Sequence, residues 1–132
     1  MKEKILFVNS CVRGENESRT LALAKTALSR LDGDIEEIRL ADADLKPLDA
    51  AGLAKRAESA EKNDFSDPVY DCAKQFAACD TVVIAAPFWD YSFPAFLKIY
   101  IESLCVGGLT FLYGSDGVPI SYCRAKRLIY IT

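Results

Sequence analysis

Two segments carry side chains suited to chemistry. The stretch Ser10-Cys-Val-Arg-Gly-Glu-Asn-Glu-Ser18 brings two hydroxyls, Ser10 and Ser18, and the Asn16 amide to the start of an apolar-periodic run. Neutral donors beside the free backbone amides of a helix start suit one phosphate group. The same residues also read as a structural loop closed by an N-cap. The second stretch, Pro87 to Pro94, sets Phe88, Trp89, Tyr91 and Phe93, four aromatics in six residues, between two prolines. Rings on a backbone held at both ends can pack against a planar heterocycle. A hydrophobic lid or a subunit contact is the plain alternative. The chain has no histidine, which removes Ser-His and Cys-His nucleophilic catalysis. Any reaction here uses carboxylates and tyrosines or belongs to a cofactor.

The five cysteines, Cys11, Cys72, Cys79, Cys105 and Cys123, are odd in number and show no Cys-x-x-Cys pair. With no histidine to complete a zinc site they read as structural thiols, and no metal is expected. Arg13 and Arg19 flank the first loop and could supplement a phosphate's partners. The loop lacks Gly-x-Gly-x-x-Gly and a Gly-Lys-Ser/Thr ending, so neither a dinucleotide fold nor a nucleotide triphosphate loop is supported.

The elements that must position these segments follow from periodicity. Lys4 to Asn9 is a short apolar run suited to a strand buried on both faces. Leu21, Ala24, Leu28 and Leu31 then mark a helix, with Ser18 as N-cap and Gly33 just past its end. Asp34 to Leu40 reads as a charged strand near a sheet edge. Ala41 to Asp67 is polar and acidic, with seven Asp/Glu against four Lys/Arg, which equals the net charge of −3. Pro68 to Cys79 reads as a helix with Val69, Cys72 and Phe76 on one face. Thr81 to Ala85 is a third strand, Phe96 to Leu104 a helix, Thr110 to Pro119 a loop or hairpin turning at Gly114 to Gly117, and Arg127 to Thr132 a fourth strand. Strand and helix alternating in this way imply parallel crossovers and a doubly wound α/β sheet, with ligands gathering at the carboxyl ends of the strands. Both chemical segments follow strands at that end, so they should meet across one crevice.

The length of 132 residues fits one domain, 1–132, able to bury a core, and 51% hydrophobic residues with 27% charged are ordinary globular values. A net charge of −3 without a basic cluster argues against nucleic acid. No apolar run is long enough for a signal peptide or membrane span, so a cytoplasmic protein that does not bind membranes is expected.

The order of elements, the Asn9-Ser10 strand end with its Ser18-containing loop, Ala85-Ala-Pro-Phe-Trp-Asp-Tyr91, and the helix Leu97-Lys-Ile-Tyr-Ile-Glu102 leading to Gly108-Leu-Thr-Phe111 together resemble the flavodoxin-like FMN-dependent NADH:quinone oxidoreductases and azoreductases. The resemblance runs through nearly the whole chain. It implies a flavodoxin-like sheet of strand order 2-1-3-4, FMN as cofactor, NADH or NADPH as reductant, quinones or azo compounds as acceptors, and a homodimer. It places the FMN phosphate on Ser10, Asn16, Glu17 and Ser18, the flavin ring on Pro87, Phe88, Trp89, Asp90 and Tyr91, and the acceptor against Trp89, Phe111 and Tyr113. None of these residues is assigned acid or base catalysis. Asp90 stands where the family usually has Asn, and its charge would disfavour reduced anionic FMN. The resemblance also implies that the family's C-terminal third, with its fifth strand and last helix, is missing, leaving one wall of the flavin pocket open and FMN binding weaker. An FMN-binding electron carrier without a nicotinamide site and a cofactor-free dimerising interaction domain are the competing readings.

Overall fold

The computed structural model describes residues 2–132. Its centre is β1 (Lys4–Asn9), flanked by β2 (Asp34–Arg39) and β3 (Thr81–Ala85), with β6 (Arg127–Ile131) beyond β3. All neighbours are parallel and the order is β2-β1-β3-β6, the expected topology with β6 as the fourth sheet strand. Between β3 and β6 the chain forms the antiparallel hairpin of β4 (Phe111–Tyr113) and β5 (Pro119–Ser121). The turn at Gly114 to Gly117 closes it, with Gly117 at φ 78°.

Alternation along the central strands divides the core. Leu6, Val8, Val82 and Ile84 face α4 (Ala95–Leu104), which buries Leu97, Tyr100 and Leu104 against them, and α3 (Asp71–Ala78), which adds Cys72 and Phe76. Ile5, Phe7, Val83 and Ala85 face α1 (Arg19–Leu28), through Leu21, Ala24 and Leu28. Burying each leucine contributes roughly 2 kcal/mol, so the two-sided apolar run of β1 is what fixes a helix on each face.

One element is added to those expected and two local expectations are corrected. The acidic segment after β2 contains a thirteen-residue helix, α2 (Ala50–Lys62). Asp49 caps it by accepting from the Gly52 amide at 2.8 Å, and Asn63 ends it in the left-handed conformation at φ 50°. No side chain of α2 is buried, and its apolar positions are alanines and one exposed leucine, Leu53, so no row of large apolar side chains marks it as a core helix. The helix read from Pro68 opens as a 3-10 turn, Pro68–Tyr70, which leaves Val69 59% exposed and buries Tyr70 in its place. Gly33 does not cap α1, which ends at Leu28 with Ser29 as C-cap. A Cβ on Gly33 would sit 2.5 Å from the Glu3 carbonyl, so glycine is needed there for close approach.

Candidate functional site

The first loop begins where β1 is most enclosed. Asn9 and Ser10 are buried, and the Ser10 amide donates to the Ala85 carbonyl at 2.8 Å, which locks the end of β1 to the end of β3. The Asn9 Oδ1 accepts from the Cys11 amide at 2.9 Å. The Ser10 hydroxyl and the Asn9 Nδ2 are buried without a partner among the described residues. A buried polar group left unpaired costs about 1–3 kcal/mol, so two adjacent ones at the carboxyl end of a central strand call for a ligand or water.

Beyond Cys11 the loop is exposed through Glu17. The amides of Glu17 and Ser18 both donate to the Gly14 carbonyl, at 3.0 and 2.9 Å, shaping the turn into α1. Ser18 caps the helix by accepting from the Leu21 amide at 3.1 Å, and its hydroxyl, beside the Cys11 thiol, can also donate. Ser10, Asn16 and Ser18 can therefore serve an anion at this helix start. Glu17 fits less well, because its side chain is an acceptor and its amide is already bonded. The Arg13 and Arg19 side chains are exposed. Burial pushes the Cys11 thiol above its ordinary value, so it is an inert neighbour.

The aromatic segment leaves the sheet beside this loop, since Asn9 and Ala85 are register partners at adjacent strand ends. Trp89 and Ser92 exchange two main-chain hydrogen bonds, both 2.8 Å, closing a two-residue hairpin turn over Asp90 and Tyr91. Both turn residues have positive φ, 49° and 64°, the type I′ geometry that favours glycine and asparagine. Holding a tyrosine there costs about 1–2 kcal/mol. The amides of Phe88, Asp90 and Tyr91 make no hydrogen bond among the described residues. Phe88 is 66% exposed, Trp89 41% and Tyr91 94%, with Phe88 and Tyr91 in an edge-to-face contact at 6.3 Å. Phe93 is the exception among the four aromatics: it packs half-buried on the core and, with the buried Pro94, anchors the loop at the start of α4.

Phe111 and Tyr113 lie on a different element, the β4–β5 hairpin, where they stack edge-to-face on each other at 5.4 Å rather than on Trp89. A cleft of about 560 Å³ lies apart from both loops and contains none of the expected site residues. Leu45, Leu48, Arg56, Val69 and Ile99 are among the residues that line it.

The family model described as flavodoxin-like fold matches residues 3–132. The chain is 31% identical over 133 residues to an FMN-dependent NADH:quinone oxidoreductase of Clostridium perfringens, covering 97% of this chain and 67% of that protein. It is 32% identical over 134 residues to FMN-dependent NADH:quinone oxidoreductase 2 of Clostridium acetobutylicum, covering 97% and 66%. The chain belongs to this flavodoxin-like family. Among solved structures, an azoreductase of Bacillus anthracis superposes with a TM-score of 0.69 at 25% identity, covering 89% of this chain and 62% of its own. The chain thus spans about two thirds of the length of the proteins it matches.

The FMN named for these oxidoreductases has a phosphate and a planar ring, and the residues present fit both. The orphaned Ser10 hydroxyl and the donor capacity of the Ser18 hydroxyl suit the phosphate, and the unbonded amides of Phe88, Asp90 and Tyr91 with the exposed rings beside them suit the flavin. Among the described residues no helix is long and apolar enough to cross a membrane.

Proposed function

We propose that this chain is an FMN-dependent oxidoreductase that passes hydride from NADH or NADPH to quinones or azo compounds. The observation that carries the reading is the buried, unpartnered Ser10 hydroxyl at one strand end, beside a strained turn that presents Trp89 at the next. Ser10, Asn16 and Ser18 hold the phosphate, with Arg13 and Arg19 adding charge. Pro87, Phe88, Trp89, Asp90 and Tyr91 form the ring site, where the free amides of Phe88, Asp90 and Tyr91 supply donors. Asp90 places a carboxylate at the tip of the turn, which opposes the build-up of negative charge beside it. Trp89, with Phe111 and Tyr113 of the hairpin, offers aromatic surface to a flat acceptor. When bound, FMN supplies the hydride relay between the nicotinamide and the acceptor.

The same proposal includes a single domain, a homodimer and a cytoplasmic location. Rings as exposed as Phe88 and Tyr91 suit coverage by a second subunit, and five free cysteines suit a reducing compartment.

The test is a fluorescence titration of FMN into the purified protein, with a Trp89→Ala variant alongside. Saturable quenching at one FMN per chain, weakened about tenfold by the variant as the loss of one aromatic stacking contact predicts, supports the reading. No binding by a folded sample would overturn it. Steady NADH consumption with a quinone separates the oxidoreductase from a flavin-carrying electron-transfer protein.

A further inference from the structure

The two elements that offer aromatic surface to an acceptor carry charge of one sign. Between Pro87 and Pro94 the single charged residue is Asp90, and between Phe111 and Ser121 it is Asp116. Both are exposed, and an exposed carboxylate is ionised at neutral pH. Neither takes part in an ion pair among the described residues. The Asp116 Oδ1 accepts from the Val118 amide at 3.0 Å, which shapes the hairpin turn and leaves the charge in place. Asp90 sits at the tip of the strained turn with φ 49°, where asparagine or glycine would serve the backbone as well. Turn geometry alone therefore does not call for a carboxylate there.

The neighbouring loop does not cancel these charges. It carries Arg13 and Arg19 against Glu15 and Glu17, so it is neutral before a phosphate adds its own negative charge. The exposed rings of Phe88, Trp89 and Tyr91 act in the same direction, because the face of an aromatic ring attracts cations.

We propose that Asp90, supported by Asp116, makes the acceptor site selective for charge: it takes neutral and cationic aromatic acceptors and disfavours those bearing a sulfonate or carboxylate. The inference rests on the flavin reading above and names the acceptor class within it. A like charge roughly 6 Å away in water-like surroundings weakens affinity about threefold. A cation over the exposed rings widens the gap from the other side. Stacking alone would not separate such compounds, since a charged substituent leaves the flat ring system in place. The carboxylates act on the arrival and residence of the acceptor, and salt screens their effect.

Equilibrium dialysis of the FMN-loaded protein, with no reductant present, tests the proposal. The probes are three azobenzenes of one skeleton that bear a sulfonate, no charge or a trimethylammonium group. The cation is expected to bind most tightly and the sulfonate about threefold more weakly than the neutral compound. Salt that shortens the screening length to about 3 Å should remove most of the difference. Asp90→Asn keeps a residue the turn favours and should close most of the gap between sulfonate and neutral compound. Asp116→Asn, which retains an oxygen for the Val118 amide, should narrow the gap further when added. A sulfonate held as tightly as the neutral compound, or a ratio that Asp90→Asn does not move, would overturn the inference and leave the flavin reading standing. Failure of the protein to take up FMN would overturn both.

Discussion

The Arg56 guanidinium donates through Nη2 to the main-chain carbonyl of Glu102 at 2.8 Å, tying α2 to the last turn of α4. Its Nη1 donates to the Cys105 carbonyl at 3.1 Å, so one fork satisfies two carbonyls at the helix end. The positive charge also sits at the negative end of the α4 dipole. With no buried side chain of its own, α2 depends on such polar ties.

Arg56→Ala is therefore expected to lower stability by about 1 kcal/mol, from the lost carbonyl bonds and dipole contact. Urea denaturation measures the loss, and exchange of the α2 amides should quicken more than that of α1. Arg56→Lys keeps the charge without the fork and should fall between.

Ser18 has two roles that substitution can separate. Ser18→Ala removes the cap and should cost about 1 kcal/mol, whereas Ser18→Gly should cost only a few tenths. Both remove the hydroxyl assigned to the phosphate. Titrations should show both variants losing FMN affinity to a similar degree, with riboflavin, which has no phosphate, little affected.

Asp80 joins three segments at the start of β3. Its Oδ2 accepts from the Lys4 amide at 2.9 Å and its Oδ1 from the Arg124 guanidinium at 3.0 Å. These partners, the Lys4 amide first, hold its carboxyl below the ordinary 3.8. A carboxylate with a folded-state pKa below its unfolded value stabilises the fold above that unfolded value, and the contribution is lost as pH falls through the folded one. Asp80→Asn should therefore flatten the acid limb of the stability curve below about pH 4 and lower stability near neutrality. Thermal midpoints between pH 3 and 7 give the measurement.

Tyr91 holds a left-handed backbone with its side chain almost fully in water. Tyr91→Gly should raise stability by about 1 kcal/mol by relieving that conformation, less whatever its contact with Phe88 contributes. If the turn serves the ring site, the same variant should bind FMN more weakly, a gain in stability against a loss in function. Thermal melts and the fluorescence titration read the two effects separately.

The legible parts of the fold were those written as hydrophobic periodicity. The unbroken Ile5 to Val8 run announced a strand covered on both faces, and Leu21, Ala24 and Leu28 announced the helix beneath it. α2 escaped because its Ala-rich, charged surface has no buried stripe; only Asp49 before it and Asn63 after it signalled its ends. Val69 and Tyr70 exchanged expected roles because the 3-10 turn at Pro68 rotates the following side chains away from α-helical phase. At the site, the residue types pointed to a phosphate loop and a ring platform, and the neighbouring strand ends placed them side by side. The left-handed turn at Asp90 and Tyr91 was hidden because neither residue is the glycine such a turn usually requires. The hairpin that carries Phe111 and Tyr113 was legible from its turn residues Gly114 to Gly117, but their stacking on each other rather than on Trp89 was hidden, since it depends on tertiary placement.

Asp34, Glu36 and Glu37 run along the exposed outer strand β2, so the sheet meets any strand approaching from that side with a row of like charges and is guarded there against growth into an aggregate.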